Sequence, residues 1–507
     1  MRFLGAIKAA LIVVHRYTSA VLCLLFAAWF VSGVAMAYYR KPVLTEQQRL
    51  AFAQPLRGAR PALPPAGIPT LAHGWPDTLT LRLSEWQGRP IYRWQTRSGW
   101  ASAWADTGAP ASFDGSTLDA EARRWFGGAA VRYDGTFESG SQWSYFTEVH
   151  GHYPLHRFST TDRAPRQVFF SSRTGEPVVA TSAATRAIYY LGPGLHYFSF
   201  YVIRNNDPLW RGLVNWSSGI GAFTCLLGLI LGLWQLRWRA IGTGRRVVPY
   251  ARTWMRWHHW TGLGFGLVTF TFVLSGLFSM NPGGMFASTT VPAGLDRAFR
   301  GDRPPVGDLP GPAALPPQRD PRIRELEWQR VRGQSHVVGR SDVDRSRLFA
   351  PAGAGLAERS PFSDAELMAL VGGLLPAPVR QVERVAAFDN HYYARKDRHL
   401  PLPAVRLRLA DRRDTWYYLN PATGELFLAS DDGTRLRRWL YNGLHSFDIQ
   451  PLLRLGLWWD ATIWLLSLGG LALSITGVVI TWQWIRRSLP APAPLPSLRP
   501  VNEGKAD

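Results

Sequence analysis

Four stretches of the chain stay apolar for longer than a buried soluble helix requires. They run from about Ala10 to Tyr38, Gly212 to Leu236, Trp257 to Met280 and Leu457 to Ile485. A bilayer crossing takes about 20 apolar residues, so each stretch predicts a span. Ala35-Met36-Ala37 has the look of a signal-peptide cleavage site. The run before it is too long for such a peptide and contains His15 and Arg16, so it is read as a retained anchor. Between the spans the period changes. Thr78–Leu83, Gln167–Ser171, Ala404–Leu409 and Thr415–Leu419 alternate or are rich in β-branched and aromatic residues, which predicts strands. Ser363–Leu374 has the spacing of a short amphipathic helix. Gln54–Pro76 and Pro282–Pro321, rich in Pro and Gly, predict linkers or irregular covers, and the Pro-Ala repeat after Leu489 predicts a disordered tail.

The pattern therefore gives an α-helical membrane protein with four transmembrane helices arranged as a tandem two-span repeat, plus two α+β domains. The expected division is 1–38 for the N-terminus and first span, 39–211 for the first domain, and 212–236 for the second span. A basic loop at 237–256 follows, then the third span at 257–280, the second domain at 281–456, the fourth span at 457–485 and the tail at 486–507.

Charge sets the expected orientation. The chain carries 57 Lys and Arg against 36 Asp and Glu, a net +21. Arg237, Arg239, Arg245, Arg246, Arg252 and Arg256 fall in one short loop without an acid. Arg2, Lys8 and Arg16 precede or open the first span, and Arg486, Arg487, Arg499 and Lys505 follow the last. Positive short segments stay on the cytoplasmic side, so both termini are expected there and both long domains outside. In a bacterium that places the domains in the periplasm of the inner membrane. With 23 Trp and only 18% charged residues the chain does not resemble a nucleic-acid-binding tail, and no nucleic-acid partner is expected. Its two cysteines, Cys23 and Cys225, exclude a disulfide framework, covalent CxxCH haem attachment and a cysteine-ligated cluster. Walker, GxSxG and HExxH motifs are absent.

The two halves repeat. His15-Arg16-Tyr17-Thr18-Ser19 aligns with His258-His259-Trp260-Thr261-Gly262, and Ser32-Gly33 aligns with Ser275-Gly276 at the same spacing from the histidine. Later, Gly194-Leu195-His196-Tyr197-Phe198 aligns with Gly443-Leu444-His445-Ser446-Phe447, Thr174-Gly175-Glu176 with Thr423-Gly424-Glu425, and Trp210 with Trp459. His150 falls on His399 and Pro154 on Pro403. Such parallel repeats are related by an axis along the membrane normal, with functional sites between the halves.

Ionisable side chains inside spans are costly and mark function. His15 and His258 sit at equivalent depths, and a facing imidazole pair suits the axial ligation of a b-type haem. Gly33 and Gly276 each lie 18 residues from that histidine, on the same helical face. Small residues there leave room for a flat macrocycle or simply let helices pack. His259 is an alternative to His258, which the repeat alignment favours. His196 and His445 form a second equivalent pair, each 14 residues before a Trp at a span edge. They are read as ligands of a second haem or as interfacial histidines. Arg211 aligns with Asp460, which suggests an ion pair, a propionate contact or ordinary anchoring. Glu148, His150, His152 and His156 suggest metal binding only superficially, because His150 alone is repeated. His150 and His399, with Trp143, Tyr145, Tyr392 and Tyr393, are candidates for substrate contact.

The His15-Arg16 and His258-His259-Trp260-Thr261-Gly262 openings, the Ser-Gly span ends and the two Gly-Leu-His motifs resemble the PepSY-associated transmembrane proteins, over nearly the whole chain. The resemblance implies PepSY-type α+β loops, and in some members ferric-siderophore reduction through two haems between four spans. It implies axial roles for His15, His258, His196 and His445, and Fe(III)-siderophore as substrate. The cytoplasmic loop has no nucleotide fingerprint, so the expected electron donor is a quinol or a separate protein. The longer Pro-rich loops depart from the family pattern. The rival reading is a haem-free envelope regulator or peptidase inhibitor, for which four duplicated membrane-proximal histidines have no use.

Overall fold

The computed structural model describes residues 2–489 except 59, 244, 287 and 395–398. The Pro-Ala tail expected to be disordered lies outside the described residues. Among the described residues, four helices are long and apolar enough to cross a membrane. They are α1 (Arg2–Tyr38), α2 (Asp207–Gln235), α3 (Thr253–Ser279) and α4 (Leu457–Ser488). The first starts eight residues before the apolar run, because helix propensity continues through Arg2–Ala9 where hydropathy is diluted.

The chain separates into two compact units. The first comprises the described parts of Met1–Val31, Gly219–Val273 and Trp464–Asp507. All four long helices contribute to it, and small residues bring them close. A Cβ at Gly470 would lie 2.0 Å from the Phe30 ring, and one at Gly469 would lie 2.1 Å from Phe265. Neither position admits a side chain unless the facing phenylalanine ring is displaced.

The second unit comprises Ser32–Ser218 and Leu274–Ile463. Its first loop carries β1 (Thr80–Trp86), β2 (Arg89–Thr96), β3 (Gly99–Trp104), β4 (Val131–Phe137), β5 (Leu155–Thr160), β6 (Gln167–Ser171) and β7 (Pro177–Thr181). Its second loop carries β8 (Glu325–Val331), β9 (Gln334–Asp342), β10 (Arg345–Ala352), β11 (Gly355–Arg359), β12 (Val379–Val385), β13 (Ala404–Leu409), β14 (Trp416–Leu419) and β15 (Leu426–Ser430). β4 to β7 make one antiparallel sheet and β12 to β15 another, each in sequence order. The remaining strands merge into a seven-stranded sheet, β11-β10-β9-β8-β1-β2-β3.

The register of that sheet displays the duplication. Gln87-Gly88 and Arg332-Gly333 turn the two leading hairpins with positive φ at both residues, as a two-residue loop demands. Those turns make Leu81 equivalent to Leu326 and Leu83 to Trp328. β1 pairs with β8 so that Leu81 faces Trp328 and Leu83 faces Leu326. Equivalent residues are exchanged, so a pseudo-twofold axis passes between Arg82 and Glu327. Pro154 and Pro403, also equivalent, both follow cis peptide bonds.

The Pro-rich stretches are covers rather than linkers. Leu56, Ile68 and Leu71 from the first, and Leu309 and Leu315 from the second, pack with Leu81, Tyr92, Leu326 and Phe349 of the large sheet. Trp75 donates to the Pro304 carbonyl at 2.8 Å and Trp328 to that of Pro310 at 2.9 Å. The amphipathic helix forms as Asp364–Val371, with Ser363 and Glu366 in a capping box; Gly372 ends it before the expected Leu374.

A buried charge cluster ties the repeats together within this unit. Arg49 forks onto Glu325 at 2.6 and 2.9 Å and reaches Glu176 at 3.1 Å. Arg82 and Arg93 flank the same carboxylates. Burial alone would raise both acids; the guanidiniums of Arg49 and Arg82, joined at Glu176 by Arg93, outweigh it and hold both below the usual carboxylate range. His152 is stacked on Trp100 beside this cluster, and burial pushes it down to about 4.

Candidate functional site

In the helical unit, His15 on α1 and His258 on α3 line one cavity of about 830 Å³. The His15 Nδ1 lies 3.1 Å from the Thr224 carbonyl oxygen on α2, and His258 Nδ1 lies 3.0 Å from the Thr476 hydroxyl on α4. His258 also meets the backbone of Leu473, the repeat equivalent of Thr224. A glycine faces each ring. A Cβ at Gly228 would come within 2.8 Å of His15 Cε1, and one at Gly477 within 3.8 Å of His258 Cε1. These two glycines, like Thr224 and Leu473, are 249 residues apart, the offset of the Gly-Leu-His motifs. The same cavity is lined by His259, whose Nε2 is buried without a hydrogen-bond partner and whose ring centre is 5.7 Å from that of Tyr250. A backbone contact from the later helix of the repeat, made to His15 by Thr224, is made to His258 by the equivalent Leu473, while His259 shows desolvation alone. Arg16, Arg252 and Arg487 supply the guanidiniums of the lining, and no described Asp or Glu lines the cavity.

In the second unit, His196 and His445 are brought together, with ring centres 5.9 Å apart and planes inclined at 64°. Ser32 on α1 lies 3.0 Å from His196 Nδ1, and Ser275 on α3 lies 3.2 Å from His445 Nδ1. Gly33 and Gly276 face the same rings, 3.6 and 3.2 Å from Cε1 for an added Cβ. The Ser-Gly pairs thus serve the second histidine pair, not the first as their helical phase to His15 suggested. Helical phase tells which residues share a face but not what approaches that face.

The local chain is bent to present these histidines. Each sits in a single helical turn, Leu195–Tyr197 or Leu444–Ser446, after a π-helical segment at Tyr190–Gly194 or Arg438–Gly443. Phe198 and Phe447 then take left-handed φ values of 51° and 49°. A phenylalanine there costs about 1–2 kcal/mol, and such strain is retained where geometry serves a site. Trp210 and Trp459 secure the turns by donating to the Tyr197 and Ser446 carbonyls at 2.6 and 3.0 Å. Tyr441 lies 5.6 Å from His445, ring to ring, and its hydroxyl is 3.4 Å from that of Tyr197.

Both pairs fit haem iron on chemical grounds. A ligating histidine donates Nδ1–H to an oxygen so that Nε2 carries the lone pair, and all four histidines have an oxygen at Nδ1. Two imidazoles on one metal ion, each bonded at about 2 Å, would place ring centres about 6 Å apart, close to the spacing of His196 and His445. The basic, acid-free lining of the first cavity suits a ring bearing carboxylates.

The substrate candidates are scattered. Tyr392 is fully buried, stacked on Tyr418 at 5.0 Å, with its hydroxyl on the Pro401 carbonyl. It sits in the core, with Tyr418 stacked on it, Phe388 and Phe427 beside it and its hydroxyl already occupied. Tyr393 is buried with its hydroxyl 3.5 Å from Asp448. Trp143 packs edge-on against Tyr189 and Tyr190, and the Tyr145 hydroxyl meets that of Tyr189 at 2.7 Å. His150 contacts the Tyr145 carbonyl at 3.0 Å, and His399 pairs with Asp344 at 3.1 Å on the surface. His156 meets the Tyr133 hydroxyl at 2.9 Å. Among the described residues, no three His, Cys, Asp or Glu side chains gather as a metal site requires. The Arg211–Asp460 pair suggested by the repeat does not form. Arg211 bonds Asp207 at 2.6 Å, one helical turn away, and Asp460 accepts from Tyr38 at 2.6 Å.

A family model described as PepSY-associated TM region matches residues 12–483. No curated protein matches the chain.

Proposed function

The chain belongs to the PepSY-associated TM region family, and on that premise we propose that this integral membrane protein is a di-haem b electron-transfer protein that reduces an Fe(III) chelate. The observation that carries the reading is the duplicated pair: His15 with His258 and His196 with His445, each histidine holding an oxygen at Nδ1 and facing a glycine. Haem iron held by such imidazoles passes single electrons by cycling between Fe(III) and Fe(II).

The chain's own residues define the rest. The Thr224 carbonyl would hold the proton on Nδ1 of His15, and the hydroxyls of Thr476, Ser32 and Ser275, each able to accept from Nδ1, orient the other three rings. Gly228, Gly477, Gly33 and Gly276 keep the space beside those rings clear. We assign His258, rather than His259, to the iron because it repeats the setting of His15. We place the protein in a bacterial inner membrane with both termini cytoplasmic and both loop domains periplasmic, as the arginine distribution argues. A quinol or a protein would deliver electrons, and a periplasmic Fe(III)-siderophore would receive them. Reduction to Fe(II) weakens the hold of hard oxygen ligands on iron.

The test is anaerobic mixing of the dithionite-reduced protein, in lipid nanodiscs, with an Fe(III)-hydroxamate chelate and a colour-forming Fe(II) chelator. The haem bands should return to their oxidised positions as coloured Fe(II) appears. Bands that stay reduced would refute the reductase reading.

A further inference from the structure

Arg16 and His259 each follow an expected iron ligand by one residue, so they occupy equivalent positions in the two repeats. Both line the cavity that His15 and His258 share. His259 is buried, only 6% exposed, and its Nε2 has no hydrogen-bond partner. A buried nitrogen left without a partner costs about 1–3 kcal/mol, so an oxygen-bearing ligand is the expected recipient. The lining supplies three guanidiniums and no described carboxylate, so the ligand should be anionic. The pseudo-symmetry adds a second condition. His15 with Thr224 and Gly228 maps onto His258 with Leu473 and Gly477, so an anionic ligand centred between them should itself carry two equivalent charges.

Iron protoporphyrin has that form, with two carboxylates on neighbouring pyrroles related by the approximate twofold symmetry of the ring. We propose that Arg16 and His259 anchor the two haem propionates at the His15–His258 site, one from each repeat, with Arg252 and Arg487 adding positive potential. The proposal rests on the haem reading above and extends it to the orientation of the ring. A haem held this way would turn its carboxylate edge toward Arg16 and His259 and leave its apolar edge to lining side chains such as Phe26 and Leu263. Anionic lipid headgroups offer the same charge without the fixed pairing.

The test titrates full-length protein, made in haem-limited cells in a His196→Ala, His445→Ala background, with haemin and with haemin dimethyl ester. The ester keeps the iron and the ring and lacks both charges. Haemin should bind more tightly than the ester by about tenfold or more. Arg16→Ala or His259→Ala should weaken haemin by a similar factor and leave the ester unchanged, while Arg16→Lys and His259→Gln retain most of the preference. Equal affinity for the two compounds would overturn the proposal and leave the arginines to lipid headgroups. Equal weakening of both compounds by the variants would also overturn it, because it marks a packing role. If the background variant does not fold, the same comparison on the unsubstituted chain decides, since the ester deficit should shrink in Arg16→Ala. Failure of both compounds to bind a folded chain would remove the haem reading itself, and this proposal with it.

Discussion

Glu325→Gln removes one charge from the centre of the buried cluster and changes almost no volume. Glu325 is 1% exposed and Arg49 forks onto it, so water does not replace the lost partner. Three guanidiniums, of Arg49, Arg82 and Arg93, would then face the single carboxylate of Glu176. Breaking a buried pair from one side costs about 3–5 kcal/mol. The amide keeps part of the hydrogen bonding, so the lower end applies. For a large domain that is a fall in melting temperature of about 6–12 °C, read by tryptophan fluorescence on the full chain in detergent. Arg49→Met with Glu325→Leu, which leaves fewer orphaned charges, should recover most of it. The pH dependence has a definite sign. Glu325 is held below its ordinary value of 4.5 in the fold, so its contribution is complete above that pH and is lost as the pH falls through the folded value. The gap between wild type and variant should therefore close in acid. A variant melting within 2 °C of wild type at pH 7, or an undiminished gap at pH 3, would refute the argument.

Gly228→Ala puts a methyl group into the space of the His15 ring, so the purified variant should carry about one haem fewer than wild type by pyridine haemochrome assay. Ser32→Ala and Ser275→Ala remove the oxygen at Nδ1 of His196 and His445; each should weaken haem retention at that pair by about 10–100-fold, measured by haem transfer to apomyoglobin. His152 is neutral in the fold, with a value near 4 against an ordinary 6.5. It destabilises the protein as the pH falls from 6.5 toward 4, and His152→Phe should flatten the melting-temperature profile across that window.

Much of this architecture was legible because it is local or repeated. Hydropathy alone gave the four long helices, and alternation gave β6 and β13 to the residue. The duplication was visible because glycine, histidine and tryptophan recur at fixed offsets, and the hairpin turns at Gln87 and Arg332 confirm it in the fold. The merged sheet was not legible, since the β1–β8 ladder joins residues some 245 positions apart and leaves no short-range pattern. The Arg49–Glu325 bond was hidden for the same reason. Gly228 and Gly477 were detectable in principle, being glycines at the motif offset on the later helix of each repeat, but only the structure shows that they face histidines. The burial of Tyr392 is not legible either, because a sequence states that a residue is aromatic and not whether it is buried.

The most direct test of the central claim is the optical spectrum of the purified full-length protein from haem-replete cells, before and after dithionite, with haem quantified per chain. The account predicts a Soret band and sharp reduced α and β bands at about two haems per chain, with His15→Ala and His445→Ala each losing one. A folded protein without haem absorbance would contradict it.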